Sequence, residues 1–307
     1  MFAIIGILVV FGAVIGGFLM EKGKLMVLVQ PSELVIIGGA AIGTMLVANP
    51  LPVIIKIIKS VLGCIGGSPY TKAYYLDSLK MLSDIFQFAR KSGMAKLEED
   101  VENPDKSATF SKYPKLLKDH HMLHFICDTL RTATTGAVEP FDIDQMMDLD
   151  LEVHHRDATL PVSALSTVAD ALPGLGIVAA VLGVVITMGA LSGPPEQIGE
   201  KVGAALVGTF LGILLSYGVV SPIASNIEKI VDANTQFHHV LRAGLVAYAK
   251  GMVPSIAVEY ARRAIPHKVR PTFKEVEAEC KGAAVAAHKG AAETPVKGAA
   301  AATGKAA

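Results

Sequence analysis

Apolar residues run in four long stretches without charge and, between and after them, recur at helical spacing. No Asp, Glu, Lys, Arg or His occurs in Met1–Met20, in Leu34–Pro52, in Ala171–Gln197 apart from Glu196, or in Val202–Asn226. A helix of roughly 20 apolar residues crosses the about 30 Å of a bilayer's hydrocarbon, so each stretch predicts a transmembrane helix. The second reaches that length only with its flanks. Met1–Met20 has no basic n-region, and no small-x-small cleavage site precedes Glu21-Lys22-Gly23-Lys24, so it reads as a retained helix rather than a signal peptide.

Between the second and third stretches the pattern turns soluble. Leu76, Leu79, Leu82, Phe86 and Ala89 form one helical stripe, with Asp77, Lys80, Asp84 and Arg90 off it. Gly93 interrupts it and Asn103-Pro104 closes the next run. Further amphipathic runs cover Tyr113–Thr135 and lead from near Asp142 through Leu149, Val153 and Leu160 into the third span. Beyond Pro222, Ile227, Ile230, Val231, Phe237 and Leu241 keep helical spacing, so the fourth helix is expected to project from the membrane until Pro254. Gly282–Ala307 is Ala, Gly, Lys and Thr with almost no large apolar residue and is expected to be disordered. No run alternates long enough to be a strand.

The expected fold is all-α: a polytopic membrane protein with four transmembrane helices and a helical cytoplasmic domain. The expected division is 1–50 for the first two spans, 51–168 for the cytoplasmic helices, 169–226 for spans three and four, 227–281 for a helical extension, and 282–307 for the tail.

Composition agrees. Mean hydropathy is +0.47 and charged residues make up 18%, against about 25% in soluble domains. Flanking charges set orientation. Lys56, Lys59, Arg156 and Lys229 put the long segments and both termini on the expected cytoplasmic face, with Lys22, Lys24 and Lys201 arguing weakly the other way. A net charge of zero without an aromatic-interleaved basic patch gives no indication of nucleic-acid binding. Cys64, Cys127 and Cys280 are scattered and form no CxxC pair.

The four charge-free cores hold no ionisable group, which a proton relay in the bilayer needs. A complete proton pump would therefore require a partner to supply one. What the third and fourth spans do hold is two stripes of small residues. Ala169, Pro173, Gly176, Ala180, Gly183 and Thr187 follow a 4-3-4-3-4 spacing, and Ala205, Thr209, Gly212 and Ser216 do the same on the fourth span. Small residues let helix backbones approach closely in lipid. The stripes are either ordinary helix packing or a surface toward another chain's helix or a narrow wet path, with Thr187, Thr209 and Ser216 as its polar points. The glycine pairs Gly12/Gly16, Gly39/Gly43 and Gly208/Gly212 are expected to add packing contacts.

Pro173 and Pro222 free the carbonyls of Ala169 and Gly218, which a side chain, a neighbour or water must then meet. Each is a hinge or a tolerated kink. His120, His124 and Cys127 share a helix face, but no fourth ligand is evident and no metal site is expected. Arg90 and Lys91 with Glu98 and Glu99 bracket Gly93 and read, taken alone, as a solvated charged face. No phosphate loop or nucleophile motif marks an enzyme.

Ala169–Val185 (ADALPGLGIVAAVLGVV) and Val202–Ala224 (VGAALVGTFLGILLSYGVVSPIA) resemble spans three and four of the flagellar stator (MotA) family of the MotA/TolQ/ExbB proton-channel superfamily. The opening span, Gly38-Gly39, Pro254-x-x-Ala-Val-Glu259 and Arg270-Pro271 are similar too. The resemblance covers residues 1 to about 280.

It implies a ring-forming stator subunit, taken as a pentamer around a dimer of MotB, whose membrane Asp binds the proton and whose periplasmic domain grips peptidoglycan. It implies that Ala180, Thr187, Thr209 and Ser216 face the proton path, and that Pro173 and Pro222 couple protonation to ring movement. Arg90 and Glu98 would push on the rotor protein FliG. No cofactor is implied beyond H⁺ as coupling ion. Sodium-driven relatives carry Thr where this chain has Ala180. The alternative is a TolQ/ExbB-type subunit energising an outer-membrane process, but those relatives have three spans. A purely structural membrane scaffold would not need the hydroxyls.

Overall fold

In the computed structural model, residues 2–189 and 194–280 are described. All regular structure among them is helical. The tail expected to be disordered, 282–307, lies outside the described residues. Four helices are long and apolar enough to cross a membrane: Phe2–Met20, Leu25–Ala48, Pro140–Met188 and Pro195–Ala249. The last two have 49 and 55 residues, which at about 1.5 Å per residue makes each more than twice as long as the hydrocarbon layer is thick.

The chain divides into two compact units, Met1–Pro69 with Leu149–Gln236, and Tyr70–Asp148 with the segment from Phe237 onward. The sequence division placed 51–69 and 149–168 with the cytoplasmic helices, whereas they group here with the membrane helices.

The first unit explains that difference. Helix α1 (Phe2–Met20) is apolar on every side and has no buried residue, as expected for a helix that faces lipid. Pro31 opens α2 (Pro31–Ala48), and Asn49-Pro50 ends it before α3 (Leu51–Gly66). In α3 the apolar residues recur on one face. Ile57 and Cys64 pack on Val162, Leu165, Ala224 and Ile227, while Lys56 on the polar side pairs with Asp157. That packing ties 51–66 to the roots of spans three and four.

Helix α7 (Pro140–Met188) passes Pro161 and Pro173 without a break. Helix α8 (Pro195–Leu215) continues through a π-helical segment, Ser216–Val220, into α9 (Ser221–Ala249). The stripe expected through Leu149, Val153 and Leu160 is exposed, while α7 buries Val162 and Leu165 on another face. The core residues of α3 and α9 select that register.

The second unit has its own core. Helix α4 (Lys72–Ser92) buries Leu79, Leu82, Phe86 and Ala89, as their spacing predicted, and Leu76 is half-buried. Gly93, at φ 86°, turns the chain into α5 (Met94–Glu102), a left-handed conformation that glycine adopts without a Cβ penalty. Helix α6 (His120–Thr134) starts later than the Tyr113–Thr135 run suggested. Pro114 breaks the run, and the Asp119 side chain accepts from Met122 N at 3.1 Å to cap the helix. Phe86 stacks on Tyr248 with ring centroids 4.3 Å apart.

Helix α10 (Pro254–Ala264) is fixed by the segments that carried the tail resemblance. Glu259 accepts from Arg262 at 2.7 and 2.8 Å and from Arg263 at 2.8 Å, while Arg262 also donates to the carbonyl of Pro271 at 3.0 Å. Arg270 donates to the carbonyls of Ile265 and Arg263 at the end of α10.

Candidate ion-path site in the span three and four pair

The two small-residue stripes lie against each other within one chain. A Cβ on Gly176 would stand 2.8 Å from the carbonyl oxygen of Gly208 and 3.3 Å from the Cα of Thr209. One on Gly212 would stand 2.6 Å from the Leu172 carbonyl, and one on Gly183 would stand 2.7 Å from the Ala205 Cβ. These positions are glycine because backbone meets backbone there, where dispersion contact holds helices together in lipid. Gly12, Gly16, Gly39 and Gly43 differ from expectation: nothing lies within 4 Å of a Cβ at any of them.

Of the four residues assigned to the ion path, two have hydroxyls already engaged. Ser216 is buried and donates to the carbonyl of Ala169 at 2.6 Å. That carbonyl is the one Pro173 leaves without a helical partner. Thr187 is buried and donates to the Gly183 carbonyl one turn back at 2.8 Å. Thr209 is half-buried, and its hydroxyl makes no hydrogen bond among the described residues. Ala180, also half-buried, brings no oxygen. Thr209 is therefore the stripe hydroxyl without a partner among the described residues.

The prolines are accommodated differently. Pro173 is half-buried in an unbroken α7, its orphan carbonyl met by Ser216. Pro222 is exposed and follows the π-helical segment, where Ser221 N–H bonds the Ser216 carbonyl five residues back. A π turn widens the helix just before the ring that would otherwise clash, and such bulges frequently mark functional sites.

The charge-free windows missed one residue. Helix α2 begins at Pro31, so Glu33 lies inside the second membrane helix although the window opened at Leu34. It is 5% exposed, and its Oε2 has no hydrogen-bond partner among the described residues. The charge-free cores keep no ionisable group, but the second membrane helix begins before its window and carries this carboxylate. Pro31, a common first helical residue, was the signal that could have moved the boundary.

In the second unit, Arg90 lies in the last turn of α4 and Glu98 lies on α5. Both are exposed, and neither has an ion pair among the described residues. Some other charges of that unit are paired: Arg242 with Asp144 and Asp148, Lys72 with Glu275, and Lys80 with Glu279. Arg90 also borders an open groove lined by Met94, Gly136, Tyr248 and Pro254. His120 and His124 are exposed while Cys127 is buried, so they do not share an accessible face. Burial pushes the Cys127 thiol up to about 12. Among the described residues no group of three His, Cys, Asp or Glu side chains is placed to hold a metal ion.

The model for the Motility protein A N-terminal family matches residues 4–93, and that for the MotA/TolQ/ExbB proton channel family matches 118–239. The chain is 41% identical to Motility protein A of Escherichia coli (strain K12) over 277 residues, covering 90% of this chain and 94% of that one. The chain belongs to the motility protein A family. It is also 34% identical to the chemotaxis protein LafT of Vibrio parahaemolyticus, over 89% of this chain and 96% of that one. The flagellar MotAB stator complex of Bacillus subtilis contains a chain of the same fold, with a TM-score of 0.70 at 22% identity, covering 87% of this chain and 97% of that one. A member of the MotA family is a stator-type subunit of the proton channel family and not an enzyme. The Motility protein A N-terminal match takes in the first two spans.

Proposed function

We propose that this chain is a ring-forming stator subunit of the bacterial flagellar motor which, with a MotB-type partner, couples H⁺ influx to torque on the rotor. The observation that carries the reading is the state of the stripes. Ser216 and Thr187 are bonded within the chain, Ala180 has no oxygen, and Thr209 alone is left. A sodium ion gives up part of its hydration only to several oxygen ligands, whereas a proton needs a carboxylate and a water chain. One free hydroxyl suits the proton.

The partner supplies the Asp that binds it and anchors the complex to peptidoglycan, and the membrane is the inner one with both termini in the cytoplasm. Self-association into a ring, a pentamer by family resemblance, would cover the exposed Leu149, Val153 and Leu160 face of α7. Protonation would alter the helices where Pro173 and Pro222 interrupt their hydrogen bonding. Arg90 and Glu98, exposed and unpaired, meet the rotor protein FliG. Exposed charge pairs contribute about 0–1 kcal/mol each, which suits a contact that forms and breaks on every step.

Co-expression with a MotB-type protein, purification in detergent and native mass spectrometry test the assembly. The expected result is one complex with several copies of this chain and two of the partner. A chain that purifies alone, or with a partner lacking a membrane carboxylate, would contradict the reading.

A further inference from the structure

Among the described residues one carboxylate is more than nine-tenths buried, and it lies among the membrane helices. Glu33 enters α2 in its first turn, behind Pro31. An acidic residue there ordinarily bonds the free N–H groups of its own helix. Glu33 does not, and its Oε2 lies instead against span four, where a Cβ on Gly208 would come within 2.5 Å of it and within 3.2 Å of the Ala179 Cβ.

The depth of that contact follows from the helix lengths. Gly208 is well inside α8, about 20 Å from Pro195 at about 1.5 Å per residue, and Ala179 is about 14 Å from the end of α7. The carboxyl therefore sits inside the span three and four pair, against Gly208 within the charge-free stretch that opens at Val202 and at the level of Ala180 and Thr209. An ionised carboxylate without a partner in such a place carries a large desolvation cost, and ionisable groups kept inside membrane helices mark ion pathways.

We propose that Glu33 is a proton-binding group of the ion path, contributed by this chain at the level of Thr209. This rests on the reading of the chain as an H⁺-coupled stator subunit. The ionised carboxylate takes one proton from water on the periplasmic side and becomes neutral. It then gives that proton to the ionised carboxylate of the partner's membrane helix and is charged again. One proton enters, one leaves, and no other reactant takes part. Gly208 supplies the space, since any larger residue would collide with the carboxyl.

The test uses the full chain assembled with its MotB-type partner in lipid vesicles. Proton influx is driven by a potassium diffusion potential and followed with an internal pH dye across a range of external pH. Glu33→Gln keeps the side-chain size and removes the titration. It should lower flux by about tenfold, less than the about 10²–10⁴ of a principal proton-transfer group because the partner carboxylate remains. It should also remove one step of the pH profile. Glu33→Asp keeps a carboxyl and should retain flux with a displaced midpoint.

A Gln variant with wild-type flux and profile overturns the proposal. Should the Gln variant fail to co-purify with the partner, the Asp variant decides: a displaced midpoint supports the role and an unchanged one overturns it. Wild-type vesicles that pass Na⁺ and not H⁺ would overturn the stator reading itself, and that result is visible without any Glu33 variant.

Discussion

Ser216 on span four donates its hydroxyl to the Ala169 carbonyl on span three at 2.6 Å, replacing the helical N–H that Pro173 lacks. The bond joins two spans that otherwise meet through glycine and alanine. Ser216→Ala leaves that buried carbonyl unsatisfied and should cost about 1–3 kcal/mol. Pro173→Ala restores an N–H to the same carbonyl, so Ser216→Ala should be nearly neutral in that background. Thermal unfolding of the four variants in detergent measures the coupling, and additive effects would show that the bond does not serve this carbonyl. Pro173→Ala alone should preserve insertion and partner binding while slowing swimming.

Gly212 and Gly12 separate packing within one chain from packing between chains. A Cβ at Gly212 meets the Leu172 carbonyl and the Gly176 backbone at 2.6–3.2 Å, and backbone cannot move aside. Gly212→Ala should destabilise by about 1–3 kcal/mol and abolish motility. Gly12→Ala meets nothing within 4 Å and should leave the isolated chain's stability unchanged. A detergent melt of each variant checks both.

Arg90 and Glu98 are predicted to act through charge alone. Arg90→Glu should impair swimming while leaving the fold intact, because Arg90 makes no ion pair among the described residues. The opposite charge change on FliG should restore part of the speed. Normal swimming of the reversal, alone and combined with reversals at Lys91 and Glu99, would return these residues to a solvated face.

Glu259 makes the second unit sensitive to acid. Its hydrogen bonds from Arg262, then from Arg263, hold its carboxyl down to about 2 from an ordinary 4.5. The folded state therefore binds this proton less readily than the unfolded state. The contribution is complete above about pH 4.5 and is lost as pH falls toward 2. Melts of the full chain should show Glu259→Gln less stable than wild type at neutral pH, with the difference narrowing as pH falls through that range. A constant difference would contradict the assignment.

Much of this architecture was legible in the sequence for a simple reason. A helix without charge over membrane length has one destination, and the stripe through Leu79, Leu82, Phe86 and Ala89 has one face to bury. Spacing could place the small residues on one face of each span but could not say what that face meets, because glycine packs equally well on its own chain or another. Glu33 escaped because a count of charges sets the edge of a span at the charge, whereas Pro31 sets it at the backbone. Helix α3 escaped because its apolar residues follow span two after only Asn49-Pro50. The late start of α6 is the work of Pro114 and the Asp119 cap, local chemistry that periodicity does not register.

Coupling to protons rests on Thr209, the one stripe hydroxyl without a partner among the described residues, and on Ala180, which offers no oxygen. Rotation speed of tethered cells that depend on this chain and a MotB-type partner measures it directly, with external Na⁺ varied at fixed proton-motive force. Speed should be independent of Na⁺ and collapse on adding a protonophore. A speed that scales with Na⁺ and survives the protonophore would contradict it.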